Sequence, residues 1–152
     1  MKKCILTTSI LLIVIIASIN AQQTTIPSVD LYSLDGEKIN SQSILDTNKP
    51  TILILWKTYE DDCCNQICSI VEAREKMLGK ENVRIVCVCI DGQGNSSHVK
   101  PFVYGNDWEV NVYIDKNGDF KRAMNVVKTP LTVLYDANKS IICQYMGYCC
   151  GA

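Results

Sequence analysis

Three thiols and three carboxylates share the eleven residues TYEDDCCNQIC, Thr58 to Cys68. Thiols at this density do one of three things. As thiolates they attack disulfide sulfur, as soft ligands they hold metals such as copper(I), and in an oxidising compartment they pair as disulfides. The carboxylates of Glu60, Asp61 and Asp62 bear on the choice. Anions suit a helix start, where the amide dipoles present partial positive charge, and any of the three can cap it. The same anions disfavour a thiolate at Cys63, which raises its pKa and slows it as a nucleophile. A capped helix without redox chemistry and a modified thiol site both remain open from these residues.

The thiols need a compartment. The chain opens with Lys2 and Lys3, continues through an unbroken apolar run from Ile10 to Ala17, and offers a small residue at Ala21. That layout is a secretory signal over residues 1–21, with the mature chain beginning at Gln22 and running to 152 as a single domain. Retention as an uncleaved N-terminal anchor is the alternative, and the only membrane association the sequence suggests. Cys4 precedes the apolar run, so it cannot be a lipid-attachment cysteine. The nine cysteines minus Cys4 leave eight, at 63, 64, 68, 87, 89, 143, 149 and 150. An exported, secreted or periplasmic protein with an even count is a candidate for disulfides. With 15 basic against 16 acidic residues and no basic run beyond the signal, nothing points to nucleic acid.

The elements that must position these groups read as an α/β protein. VDLYSLDGEKI forms two short extended pieces around Asp35-Gly36. TILILW, Thr51 to Trp56, is a continuous apolar run typical of a buried strand, and a helical period follows from about Asp62 to Leu78, with Gly79 as its stop. VRIVCVCI, Val83 to Ile90, is a second buried strand. GQGNSSHVKPFVYGND is a loop with at most a short helix around His98 to Tyr104. VNVYID is a third strand and a short helical piece spans Phe120 to Val126. LTVLYD and IICQYMG close the chain as an antiparallel hairpin. A mixed sheet with helices on its faces follows from this order.

The landmarks DLYSLDGEKIN, KPTILILWKTY and VYIDKNGDFKRAMNVVKTPLTVLYDANKSII resemble the thioredoxin superfamily, and within it the exported TlpA-like and redoxin-like proteins, from about Val29 to Gly147. The resemblance implies a thioredoxin-like mixed β-sheet flanked by helices, and exchange of thiols and disulfides in other proteins without a cofactor or a bound metal. It implies a cis Thr129-Pro130 bond before the C-terminal hairpin, placing backbone groups where an extended peptide can pair with them. Laid onto WKTYEDDC, the family's Cys-x-x-Cys puts Glu60 at the attacking cysteine and Cys63 at the second, so half of the redox pair is absent. The helix that usually follows the last strand is missing as well. The family pattern brings the end of that strand to the sheet edge that holds Pro130, within reach of a pairing between Cys63 and Cys149 or Cys150. The alternative is a tail whose cysteines stay free or pair between molecules.

Two functional readings compete on this frame: a degenerate thiol–disulfide exchange protein using Cys63 with a distant cysteine, and a non-catalytic module that keeps the groove for peptides. A third takes Cys64, Cys68 and His98 for a Sco-like copper site. The bland reading places Cys64 and Cys68, with Ile67 and Val71, on a helix stripe facing the sheet. Cys87 and Cys89 share one strand face as inert core residues, too far apart to bridge. Trp56 is either core or, with Tyr59, part of a docking surface.

Overall fold

The computed structural model describes residues 25–45, 48–78 and 82–148. Its strands are β1 (Asp30–Ser33), β2 (Lys38–Asn40), β3 (Thr51–Trp56), β4 (Arg84–Cys89), β5 (Asn111–Ile114), β6 (Leu131–Tyr135) and β7 (Ile141–Met146). Its α-helices are α1 (Asp61–Ala73), α2 (Ser96–Gly105) and α3 (Asp119–Ala123). One sheet takes all seven strands in the order β2-β1-β5-β4-β3-β6-β7. The apolar runs β3 and β4 lie at its centre and pair in parallel from Thr51↔Arg84 to Trp56↔Cys89, and β5 continues the parallel set. The outer strands are antiparallel, as the Asp35-Gly36 turn and the final hairpin require. Gly36 turns β1 into β2 at φ 89°, a region open to glycine at little cost.

Alternation along β3 divides the core. Leu53 and Leu55 join Leu31, Ile44, Val86, Val88, Phe120 and Val133 on one side of the sheet. Ile54 and Trp56 join Cys87, Cys89, Val112, Ile114 and the inward residues of α1 and α2 on the other. Trp56 is fully buried, with ring centroids 5.2 Å from Trp108 and 5.7 Å from Phe102. It is core rather than docking surface, whereas Tyr59 is exposed. Cys87 and Cys89 do face one way, and both are buried with free thiols.

Two expectations need correction. The buried face of α1 is Cys63, Gln66 and Ile67, with Ile70 partly covered, so the stripe is turned one residue from the one read in the sequence. The apolar spacing 63, 67, 70 packs against the sheet, which leaves Cys64 half-buried and Cys68 exposed. The helical span does reach Leu78 as read, α-helical to Ala73 and then a π-helical turn over Arg74–Leu78, where buried Arg74 donates from Nη2 to the Glu109 carbonyl at 3.2 Å. Gly79 lies outside the described residues. The second correction is α2, ten residues long where a loop with a short helix was expected, with Pro101 inside it. Val99 and Val103, four residues apart, bury against the sheet and hold the helix despite the lost amide.

β7 is a sheet edge, and Gly147 and Tyr148 are all that follows it among the described residues. Within those residues no helix is long and apolar enough to cross a membrane. Residues 1–21, on which the signal reading rests, lie outside them.

Candidate functional site

The site forms where central β3 hands over to α1. The Ile90 amide bonds to the Trp56 carbonyl at 2.9 Å, extending the β3–β4 ladder past the strand end. The loop is then fastened from the neighbouring strand. Asp91, just after β4, accepts from the Thr58 amide at 3.1 Å and from the Thr58 hydroxyl at 2.5 Å. Glu60 takes the N-cap position of α1 with extended backbone (φ −111°, ψ 110°), and its carbonyl accepts the Cys63 amide at 3.0 Å. Asp61 and Asp62 fill the first turn, the favourable place for anions.

The Glu60 side chain does not cap the helix. It folds back across the site, where Oε1 accepts from Lys57 Nζ at 2.7 Å. Oε2 accepts from the Cys63 thiol at 3.4 Å and from the Thr129 hydroxyl. Burial raises the Glu60 pKa, but the hydrogen bonds from Lys57, Thr129 and Cys63 outweigh it, and the net shift is downward. Glu60 is an anion held by three donors.

Cys63 is fully buried. Its thiol is pushed up to about 12, chiefly by burial; a backbone hydrogen bond at Lys57 works the other way, and the Glu60 carboxylate raises it further. The direction expected from the acidic run is therefore present, with a different leading cause: Cys63 lies beneath the helix start, out of water, and Asp61 and Asp62 are exposed beside it. Cys64 is raised as well, first by burial, then by Cys68 and Asp61.

Across from Glu60 the chain enters β6 through Thr129 and Pro130, whose peptide bond is cis. Thr129 is nearly buried and lies beyond the last paired residue of β6, Leu131. A cleft of about 450 Å³ opens between this segment and the helix start, lined by Lys57, Glu60, Asp61, Asp62, Val127, Lys128 and Thr129. Val127 on its wall is 81% exposed.

The fold thus brings four of the residues singled out in the sequence, Glu60, Cys63, Thr129 and Pro130, to one sheet end. The Gly147 amide donates to the Pro130 carbonyl at 2.7 Å, so the end of β7 also arrives there. Cys149 and Cys150 lie outside the described residues, and their pairing with Cys63 with them. The six described cysteines are free. His98 is exposed on α2, and among the described residues no cluster of three or more His, Cys, Asp or Glu side chains is placed to hold a metal. The copper reading of Cys64, Cys68 and His98 lacks its ligand cluster.

Lys57 and Asp91 were not singled out in the sequence. The i, i+3 spacing of Lys57 and Glu60 was a visible signal, as was an aspartate directly after a parallel strand, where α/β proteins build their sites.

A parallel strand core, a helix start at its carboxyl end and a cis-proline segment facing that start define a thioredoxin-superfamily protein. Residues 23–146 match the AhpC/TSA family, and the chain belongs to it. It is 30% identical over 114 residues to a thioredoxin-like protein of Haemophilus influenzae, covering 75% of this chain and 64% of that one. The chain therefore spans less than two thirds of this curated relative. An uncharacterized thioredoxin-like protein of Porphyromonas gingivalis superposes with a TM-score of 0.73 at 34% identity, over 83% of this chain and 82% of that one. A secreted disulfide oxidoreductase of Mycobacterium tuberculosis superposes with a TM-score of 0.60 at 18% identity, over 75% and 80% of the two chains, a likeness of fold.

Proposed function

We propose that this chain is an exported thioredoxin-like protein of the thiol–disulfide class whose exchange chemistry is disabled at Glu60, leaving a cleft that docks an extended polypeptide segment. One observation carries the reading: the Glu60 carboxylate belongs to the N-cap residue of α1, where the resemblance would put an attacking thiol, and is bonded to both Cys63 and Thr129. A carboxylate cannot form a mixed disulfide. The thiol that remains is buried and protonated at neutral pH, so neither half of an exchange couple is ready to act. The cleft keeps what peptide docking requires: an exposed apolar wall at Val127 and an unpaired chain segment at Thr129. Export rests on the signal-like residues 1–21, and N-terminal analysis of the secreted protein should find Gln22 first; retained Met1 would remove that part of the proposal.

The deciding assay is reduction of insulin disulfides by dithiothreitol with catalytic amounts of protein. The natural chain should stay at the uncatalysed rate, and Glu60→Cys, which recreates Cys-x-x-Cys with Cys63, should exceed it at least tenfold. A natural chain as fast as an ordinary thioredoxin refutes the disabled site. Docking is read separately, by amide NMR shifts on adding reduced insulin B chain: changes at Glu60, Val127 and Thr129 are expected, and none at saturating peptide refutes the cleft.

The Gly147–Pro130 bond favours one further reading, since it delivers the chain to the site one residue before the described segment ends. In that reading Cys63 exchanges with Cys149 or Cys150. A peptide map of the oxidised protein showing either bridge, together with insulin activity lost in Cys63→Ser, would establish it over the first.

A further inference from the structure

The two walls of the cleft differ in charge. Lys57 and Glu60 cancel one another, bonded at 2.7 Å, and the second Glu60 oxygen is taken by Cys63 and Thr129. The wall formed by the start of α1 is left with Asp61 and Asp62, both exposed in the first turn. Neither makes a hydrogen bond or an ion pair among the described residues. A helix start carries about half a positive charge, so two carboxylates there reverse its sign and leave about −1.5.

The opposite wall is Val127, Lys128 and Thr129. The Lys128 side chain runs along Gly147, its Nζ, Cε and Cδ lying 3.1, 3.4 and 3.8 Å from where a Cβ on that glycine would stand. The ammonium is thereby held beside the end of β7. Val127 supplies the apolar part of this wall, and Thr129, outside the β6 ladder, supplies main chain that the sheet does not use. Apolar surface and unpaired backbone thus face two carboxylates that have no partner of their own.

Resting on the docking reading above, we propose that the cleft selects an extended segment in which a lysine or arginine stands two residues from an apolar side chain. A strand laid against Thr129 turns alternate side chains to the same side, so the two that enter the cleft together are i and i+2, about 6.6 Å apart. The apolar one covers Val127, and the cation stands at Asp61 and Asp62. The other placements are opposed by charge. A cation on the Val127 side meets the Lys128 ammonium, and a carboxylate on the α1 side meets two of its own sign. Main-chain pairing supplies the affinity and the side-chain contacts supply the choice. Because both carboxylates are exposed, each new ion pair contributes modestly and is screened by salt, so the selection is a preference of several-fold.

The test is an amide NMR titration of the full reduced chain with capped synthetic peptides that differ at a single position. Each is a serine, threonine and glycine sequence without cysteine, carrying a valine followed two residues on by lysine, glutamine or glutamate. At low salt the lysine peptide should bind about fivefold more tightly than the glutamine peptide, and the glutamate peptide more weakly than both. The order should flatten at about 1 M salt, where the screening length falls to about 3 Å. In the double variant Asp61→Asn, Asp62→Asn the lysine peptide should fall to the glutamine value, with circular dichroism confirming the fold. Equal affinities for all the peptides, with shifts at Val127 and Thr129 in each titration, would overturn the selection and leave the docking reading standing. No shift with any peptide at the highest soluble concentration would overturn both. A lysine preference that survives the double substitution would put the cation elsewhere and overturn the proposal as well.

Discussion

Replacing Glu60 by alanine separates the two causes that raise the Cys63 pKa, burial and the carboxylate. With its pKa at about 12, the thiolate fraction at pH 7.4 is about 2 × 10⁻⁵, against about 7% for an unperturbed thiol near pKa 8.5, a deficit of about 3,000-fold. A more basic thiolate is also more nucleophilic. With a Brønsted slope of about 0.45 over about 3.5 units the compensation is about 40-fold, leaving Cys63 about 75-fold slow before access is considered. Access adds to the deficit, because the side chain is fully buried. In the reduced protein, a neutral pyridyl disulfide reagent followed by mass spectrometry reports each thiol, with exposed Cys68 and Cys143 as internal references. Cys63 should react at least about 75-fold more slowly than an unperturbed thiol. Glu60→Ala removes the secondary cause and leaves burial; each pKa unit it lowers raises the thiolate about tenfold and lowers its nucleophilicity about 2.8-fold, so Cys63 should accelerate by only about 3.5-fold per unit. If natural Cys63 reacts within about threefold of Cys68, a gap too small for the shift argued, burial does not control it. If Glu60→Ala brings it fully to that rate, the carboxylate and not burial was the leading cause.

Ile67→Ala should cost about 2–5 kcal/mol in urea unfolding and Cys68→Ala almost nothing, since only the first faces the sheet; equal losses would return the helix to the face read in the sequence. Asp91→Ala strips Thr58 of its acceptor and should cost about 1–3 kcal/mol by the same measurement, with amide exchange rising at Thr58. The folded-state pKa of Glu60 is lowered, so its contribution is present above the ordinary carboxylate range and is lost as pH falls through it. Glu60→Gln should therefore flatten the decline in stability between about pH 5 and pH 3, and an unchanged slope would mean that the Lys57 and Thr129 bonds do not stabilise the folded chain.

The central strands were legible because burial on both faces writes itself as an unbroken apolar run, and TILILW is strand from its first residue to its last. The turn at Asp35-Gly36 and the closing hairpin were legible from local turn chemistry, whereas the cis bond at Pro130 was legible only through the resemblance that located the site. The face of α1 was not. CCNQIC offers two overlapping helical stripes, one through Cys63 and Ile67 and one through Cys64 and Cys68, and their hydrophobicity differs too little for spacing to choose between them. Packing against Trp56 and Cys89 chose. α2 was hidden by its composition, since Gly, Asn, Ser and Pro crowd its approach while its helical signal is two valines four residues apart. The partners of Glu60 were illegible for a third reason. Lys57 is close in sequence, but Thr129 is 69 residues away and the donor geometry exists only once β6 lies beside β3.

That geometry is what the proposed loss of exchange at this site rests on. A thiolate and a carboxylate make similar demands: each is an anion at the start of a helix, and each needs donors when water is excluded. The helix start, the Lys57 ammonium and the Thr129 hydroxyl meet those demands for Glu60 without rearrangement. The difference lies in what the anion does next. A thiolate in this position attacks outward. The carboxylate, with two oxygens, engages Lys57 through one and reaches inward to the Cys63 thiol through the other. Because Cys63 donates to Glu60, its proton is held by that carboxylate. On the proposed reading, the loss of exchange and the preservation of the cleft both follow from Glu60, and Glu60→Gln, which keeps the shape and removes the charge, should leave peptide docking at Thr129 in place while loosening the hold on the Cys63 proton.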